Sequence, residues 1–166
     1  MLKKEILIYP DKVLKSLAQE VENIDPDILA LVQEMKTTLH AAPGVGLAAP
    51  QVGEPIRLIL VDQSAGKDED ELIVLINPAI VEKEGLETDT EMCLSVPETS
   101  VDIDRAARIL VTGVDLSGNE VRMEAQGYLA RIFQHEIDHL DGRVILDYAS
   151  SLKRSIYLKK RKKGTL

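Results

Sequence analysis

The chain of 166 residues is poor in aromatic side chains, with no Trp, one Phe and four Tyr. Proteins that hold single-stranded nucleic acids by base stacking need such rings, so that function class is disfavoured. Because 45% of the residues are hydrophobic, the chain can still build a core, which must be mainly aliphatic. The length predicts one domain, and a domain of this size hides roughly 70% of its unfolded surface.

Soft metal ligands are equally scarce. The chain holds one cysteine and three histidines: Cys93, His40, His135 and His139. A single cysteine cannot form an internal disulfide, so nothing in the sequence favours an oxidising compartment. If chemistry runs through these four side chains, few arrangements of them are available.

Long hydrophobic runs are also missing. No apolar stretch approaches the about 18 residues that mark a membrane-spanning helix. Lys3 and Lys4 precede a short apolar run, but the run is too short for a signal peptide and Glu5 lies next to it. The sequence therefore predicts a cytoplasmic protein in a reducing compartment.

Charge is unevenly distributed along the chain, whose formal net charge is -8. Residues 152–163 hold seven of the 20 basic residues and no acidic one. A solvated terminal helix is one interpretation of this segment, and docking on a polyanion such as nucleic acid is the other. Because the rest of the chain is strongly acidic, any such contact would be confined to the basic end.

Hydrophobic periodicity predicts an α+β fold, in which small antiparallel or mixed sheets pack around a central helix and a C-terminal helix follows. The predicted helices cover residues 11–18, 26–41, 127–140 and 151–162, and the last presents Leu152, Ile156 and Leu158 as its apolar face. The predicted strands cover residues 57–62, 72–77, 79–83, 87–94, 108–115, 120–125 and 144–146. Pro78 is expected to separate two of them.

The strongest chemical signal lies on the helix predicted at 127–140. On a helix, His135 and His139 share a face one turn apart, so both imidazoles can reach one metal ion, with Glu136 beside them to handle a proton. The alternative is two ordinary histidines on a helix. The apolar neighbours predict a buried helix, however, and burying these groups without partners would cost several kcal/mol.

A third ligand is needed, and the residues alone leave several candidates. After His139 the chain has no further His or Glu, so Asp141 and Asp147 are the downstream choices. Upstream, the candidates are His40, Cys93 or an acidic residue. Cys93 would join two imidazoles in a set that suits Zn²⁺ or Fe²⁺, although a lone cysteine is often a small buried hydrophobe. For His40 we expect a surface or helix-end role.

Three ordered segments resemble the signatures of the peptide deformylases: residues 44–51 (GVGLAAPQ), 91–95 (EMCLS) and 134–139 (QHEIDH). The opening segment 6–11 (ILIYPD) and the predicted hairpin at 108–125 also resemble that family, so the likeness covers nearly the whole chain. The helix after residue 152 resembles the bacterial type that ends in a helix. The resemblance implies a single catalytic domain over residues 1–166, of which 152–166 form a basic C-terminal helix and tail.

The resemblance also implies an activity, the removal of the formyl group from N-terminal formylmethionine of nascent polypeptides with release of formate. It implies one divalent metal ion held by Cys93, His135 and His139, which is Fe²⁺ in the cell and is readily replaced by Zn²⁺, Ni²⁺ or Co²⁺ on isolation. Glu136 would transfer protons, and the Gln51 amide and the Leu94 N–H would stabilise the oxyanion. Two further alternatives are another metal-dependent amidase or peptidase and a non-catalytic binding protein that keeps the fold.

Substrate contacts follow from the same resemblance. The loop residues Gly44, Val45 and Gly46 would let an extended peptide approach the backbone closely. The methionine pocket would be bordered by Tyr128, Arg131, Ile132 and His135. Only the aliphatic part of Arg131 would line it, with the charge turned to water.

One departure from the family pattern lies at Met92, where glycine is usual. Neighbours alternate faces in a strand, so a Cys93 that points at the metal leaves Met92 on the other face. The metal site should then survive, and a catalytically weakened family member is the alternative. The expected partners are formyl-Met nascent peptides and, through residues 153–163, the ribosome; we expect no membrane contact and a monomer.

Overall fold

The computed structural model describes residues 2–166, which form three α-helices and seven β-strands. The helices are α1 (Pro26–Ala41), α2 (Gly127–Leu140) and α3 (Ser151–Lys162). The strands are β1 (Gly46–Ala48), β2 (Leu58–Val61), β3 (Ile73–Glu84), β4 (Glu87–Cys93), β5 (Val96–Arg105), β6 (Arg108–Val114) and β7 (Glu120–Gln126). No helix within residues 2–166 has the length and apolar character needed to cross a membrane.

The strands form two antiparallel sheets. A five-stranded sheet has the order β1-β2-β3-β6-β7, and β4 pairs with β5 in a separate two-stranded ribbon. Helix α2 packs on the larger sheet through Phe133, Ile137 and Leu140, which share a core with Ile59 and Val111. The predicted α+β architecture, with small sheets around a central helix and a C-terminal helix, is therefore confirmed.

Helix α1 begins and ends where the sequence predicts. The Asp25 carboxylate accepts a hydrogen bond from the Ile28 N–H at 2.9 Å, and Pro26 occupies the first helical position. The buried face of the helix, with Val32, Met35 and Leu39, packs against Leu47 and neighbouring strand residues. This packing holds the segment that runs from α1 into β1 at one wall of the site.

Helix α2 also has its predicted bounds. Its C-terminal end is set by Gly142, which adopts a φ of 73° and donates its N–H to the His139 carbonyl at 3.2 Å. A side chain at Gly142 would approach the Lys15 carbonyl oxygen to 2.8 Å, so the turn requires glycine for both reasons. The last turn of α2, which carries His139, is thereby fixed against the N-terminal segment.

Helix α3 has the predicted bounds but not the predicted apolar face. Leu152, Ile156 and Leu158 are all exposed, whereas Tyr157 is almost fully buried. The Tyr157 hydroxyl donates to the Tyr9 carbonyl at 2.8 Å, and the two rings lie 5.9 Å apart. A helix on the surface buries the residues of one side only. In α3 that side carries Tyr157, whose ring is buried while its hydroxyl reaches a backbone acceptor.

Strand β3 is longer than predicted because Pro78 does not end it. Asn77 has a φ of 50°, and the register with β6 shifts between Ile76 and Ala79. The Asn77 side chain bonds both the N–H and the carbonyl of Val21, at 2.9 Å each. The register shift accommodates Pro78 without ending the strand, as β-bulges commonly do.

Two further predictions differ from the structure, and one strand is missed. The helix predicted at 11–18 is a 3₁₀ turn (Lys12–Lys15), and the strand predicted at 144–146 is a 3₁₀ turn (Ile145–Tyr148). In each case an aspartate carboxylate accepts a hydrogen bond from a nearby backbone N–H: Asp11 from Val13, and Asp147 from Val144. Such local bonds compete with regular structure. Strand β5 is not predicted by the pattern at all.

Candidate metal centre

Three ligand atoms from two elements lie together at the base of a cleft. Helix α2 supplies His135 and His139 one turn apart, and the end of β4 supplies Cys93. One ligand atom of each residue lies within 4.8 Å of the others, and the Cys93 Sγ lies 3.4 Å from the His139 Nε2. A thiolate with two imidazoles is a donor set typical of Zn²⁺ or Fe²⁺ sites.

The other candidate ligands have different partners. His40 lies at the end of α1, as predicted, and its Nε2 is 2.7 Å from the Oδ2 of the buried Asp62. Asp141 pairs with Arg57 at 3.0 Å, and Asp147 pairs with Lys15 at 2.6 Å. Among the candidates weighed from the sequence, the geometry therefore favours Cys93 as the third ligand.

The orientation of each histidine suits coordination. The His135 Nδ1 lies 2.8 Å from the Glu91 Oε1, which leaves Nε2 for an ion, and such a carboxylate partner is typical of metal-bound histidines. Burial, together with the neighbouring His135, lowers the pKa of His139 well below its usual range. A neutral imidazole is the form that binds a metal.

Two polar atoms of the site residues are buried without a partner in the described part of the chain. The Glu136 Oε2 and the His139 Nδ1 have no hydrogen-bond partner within residues 2–166. Buried polar groups are rarely left in this state, and those that are usually mark a functional site. The donor set and the unpartnered Glu136 oxygen together fit a single divalent metal ion.

Glu136 is held against strand β1. A Cβ atom at Gly46 would lie 2.8 Å from both the Cγ and the Cδ of Glu136, so only glycine leaves room for this carboxyl. Burial raises the pKa of Glu136 to about 7. A carboxyl that titrates near neutrality is suited to accept and return a proton. From the sequence, Gly46 is explained by the close approach of a peptide. The contact with Glu136 is a second reason for glycine at this position, and it is visible only in the structure.

Gln51 is buried in the 3₁₀ turn (Ala49–Val52) that follows β1. Its Oε1 accepts the Ala48 N–H at 2.9 Å, so its amide nitrogen faces the other way. That nitrogen donates to the Ser95 Oγ at 3.1 Å and lies 3.7 Å from the Cys93 Sγ. The local fold thus directs a hydrogen-bond donor at the ligand cluster.

The cleft above the cluster has a volume of about 380 Å³ and runs between β1 and β4, with α2 as its floor. It brings together most of the predicted site residues: Gly44, Val45, Gly46, Gln51, Cys93, Leu94, Tyr128, Arg131, Ile132, His135 and Glu136. His139 does not line the cleft and is buried below it. A larger cavity, about 600 Å³, lies near Arg105 and Tyr148 and contains none of the three ligands.

A buried carboxylate, Glu91, links the cluster to the rest of the molecule. It accepts two hydrogen bonds from Arg105, at 2.8 and 2.9 Å, and one from Arg131 at 2.7 Å, and it also contacts His135. Burial alone would raise the pKa of Glu91, but the bonds from Arg105 and His135 lower it to about 2. Glu91 is therefore a charged anchor for one ligand imidazole.

The predicted orientation of Arg131 is wrong. Its guanidinium is buried and bonds the Glu91 carboxylate, the Ile103 carbonyl at 2.9 Å and the Glu87 carbonyl at 2.7 Å. The charge turns to the protein interior because a buried anion and two carbonyls satisfy it there. Arg131 still borders the cleft.

The sequence motifs assign no role to Glu91 or Arg105. Glu91 could have been found, because strand alternation puts it on the same face as Cys93. Arg105 gives no such signal, since it comes from the end of β5 and reaches Glu91 and Asp138 only through the tertiary fold.

Comparison with known proteins agrees with this geometry. The family model described as polypeptide deformylase matches residues 3–155. The chain belongs to the peptide deformylase family. It is 48% identical over 156 residues to the peptide deformylase of Thermodesulfovibrio yellowstonii, covering 94% of each chain, and 45% identical over 159 residues to that of Syntrophobacter fumaroxidans, covering 96% of this chain and 94% of the other.

Solved structures give the same result. The crystal structure of a peptide deformylase from Legionella pneumophila is similar with a TM-score of 0.92 and 38% identity, covering 99% of this chain and 96% of that one. The Ehrlichia chaffeensis peptide deformylase in complex with actinonin gives a TM-score of 0.90 and 41% identity, covering 99% and 98%.

The Glu91 anchor generates a stability prediction. Replacing Glu91 with Gln leaves the buried Arg105 and Arg131 without their anion, so the free energy of unfolding should fall by about 3–5 kcal/mol. Urea unfolding in excess zinc, which keeps the ion occupancy equal, measures this change. The matched control is Glu84→Gln, because its partner Arg108 is more exposed and such pairs contribute at most about 1 kcal/mol. Equal losses in the two variants would contradict the anchoring role.

Proposed function

We propose that this chain removes the formyl group from the N-terminal formylmethionine of nascent polypeptides and releases formate, acting as a metal-dependent hydrolase. The observation that carries the proposal is the cluster of Cys93, His135 and His139 beside Glu136 in a chain of the peptide deformylase family. Neither the fold nor the family favours the alternative of an amidase or peptidase that cleaves internal peptide bonds.

In this proposal Cys93, His135 and His139 hold the ion. When bound, such an ion would lower the pKa of water and so supply a nucleophile at neutral pH. Glu136 accepts the proton of the attacking water and passes it to the leaving amine, first as a general base and then as a general acid. Its buried position against Gly46 supports this role, because the carboxyl is held in one place.

Two donors stabilise the negative charge that develops on the formyl oxygen. These are the Gln51 side-chain amide and the Leu94 backbone N–H. The bonds of Gln51 to Ala48 and Ser95 support its role, since they orient the amide before the substrate arrives. A preorganised donor of this kind contributes about 3 kcal/mol to the transition state, which is roughly a hundredfold in rate.

The substrate peptide binds as an added strand. Strand β1 pairs only with β2, and β4 pairs only with β5, so within residues 2–166 each strand has a free edge. An extended peptide can therefore pair along Gly44, Val45 and Gly46. The methionine side chain enters a pocket bordered by Tyr128, Arg131 and Ile132. One methylene changes such binding by only about 1–3 kcal/mol, so the methionine preference is real but not absolute.

The ion in the cell is Fe²⁺ in this proposal, and Zn²⁺, Ni²⁺ or Co²⁺ replaces it on isolation. The donor set of one thiolate and two imidazoles accommodates all four. Cys93 is sensitive to oxidation in the iron-bound protein, because its thiolate would lie next to a redox-active ion. A reducing cytoplasm would protect it.

Substitution of Glu136 by Gln tests the proton-transfer role. The change keeps the size of the side chain and removes its base, so turnover of a formyl-Met peptide should fall by about 10²–10⁴-fold. The ion should stay bound at one equivalent, as measured by elemental analysis. Glu124→Gln makes the same change on an exposed side chain of β7 and should retain wild-type turnover. Loss of the ion from Glu136→Gln would show instead that Glu136 is a ligand.

We also propose that the protein acts as a monomer in the cytoplasm and that α3 contacts ribosomal RNA where nascent chains emerge. Four exposed lysines on α3 and just after it support this: Lys159, Lys160, Lys162 and Lys163. No ion pair within residues 2–166 involves them. Their charge is thus available to a polyanion.

Truncation would be a poor test of ribosome binding, because Tyr157 belongs to the core. Changing the four lysines to Gln should instead lower ribosome affinity roughly tenfold and flatten its salt dependence. A matched control changes four exposed lysines elsewhere, Lys3, Lys12, Lys67 and Lys83, and alters the net charge equally. Equal affinities for the two variants in co-sedimentation would rule out a specific role for α3.

A further inference from the structure

Met92 is an exposed hydrophobic side chain at the mouth of the cleft. Its relative exposure is 71%, whereas its neighbours Glu91 and Cys93 are buried, as strand alternation predicts. The other side chains on this outer face of the ribbon, given by the register of β4 with β5, are all polar: Thr88, Thr90, Ser100, Asp102 and Asp104.

Those polar neighbours satisfy one another. The Thr90 hydroxyl donates to Asp102 at 2.6 Å, and the Thr88 hydroxyl donates to Asp104. Met92 has no comparable partner on this face. An exposed methionine among paired polar groups, beside a cleft that receives a peptide, is placed to contact what enters the cleft.

The position of the bound peptide follows from the proposed function, on which this inference rests. The cleft lies between the free edges of β1 and β4, so an extended peptide bound there runs beside β4. Its methionine side chain points inward, towards Ile132 on α2 and on the same side as Cys93. Side chains alternate along a strand, so the second residue of the peptide points outward.

Side chains of paired strands that lie on the same face contact one another. The second residue of the peptide therefore shares the outer face with Met92. We propose that Met92 is a specificity-determining residue, which binds the side chain of the second substrate residue and favours large apolar residues there. The flexible thioether can adjust to aliphatic and aromatic partners, and the contact removes apolar surface from water.

Steady-state kinetics on a peptide series tests this inference. The substrates are formyl-Met-Xaa-Ser peptides in which Xaa is Gly, Ala, Leu or Phe. For the wild-type, metal-loaded protein, kcat/KM should be about three- to tenfold higher for Leu and Phe than for Gly, mainly through a lower KM. In Met92→Gly and Met92→Ala the ratio of Leu to Gly should fall towards one, and in Met92→Leu it should be largely retained.

Leu86→Ala is the matched control, because Leu86 is 69% exposed and precedes β4 away from this cleft. It should keep the wild-type ratio of Leu to Gly. A wild-type ratio near one, or a Met92→Ala variant that loses rate equally on all four peptides, overturns the specificity role. If the wild-type protein deformylates none of the peptides, the proposed function itself is wrong, so the two failures are distinguishable.

Discussion

The site depends on one buried carboxylate. Glu91 bonds two arginines and a histidine in the space between β4, β5 and α2, where the buried arginine charges would be unfavourable without this carboxylate. Its bonds join the ribbon to the helix that carries two of the ligands, and Cys93 lies two residues further along the same strand. The geometry of the metal cluster therefore follows from an ionic contact that is not itself part of the cluster.

A second constraint is steric. Gly46 must lack a side chain because the Glu136 carboxyl occupies that space, so β1 and α2 are fitted to each other at the point of chemistry. The free edge of β1 borders the cleft, with the free edge of β4 opposite. In the proposed function, proton transfer and peptide binding use the two sides of this short strand, and the role proposed for Met92 extends the peptide surface beyond the methionine pocket.

Local signals made much of this predictable. Helical spacing pairs His135 with His139, the Asp25 cap and Gly142 set helix ends, and strand alternation separates Met92 from Cys93. The residues alone left the third ligand open, and the resemblance pointed to Cys93. The predictions that were wrong depend on tertiary contacts. The inward turn of Arg131 depends on Glu91 and two distant carbonyls, and the buried face of α3 depends on the Tyr9 carbonyl. None of these partners lies in the same element as the side chain that it contacts.

The proposed function requires one ion, held by Cys93, His135 and His139, for the removal of the formyl group. Its most direct test is to strip the protein with a chelator under reducing conditions and titrate Fe²⁺ or Zn²⁺ back while measuring formate release from a formyl-Met peptide. Activity should rise in proportion to added ion and reach its plateau at one equivalent per chain. Full activity in the stripped protein, or a requirement for two equivalents, would contradict it.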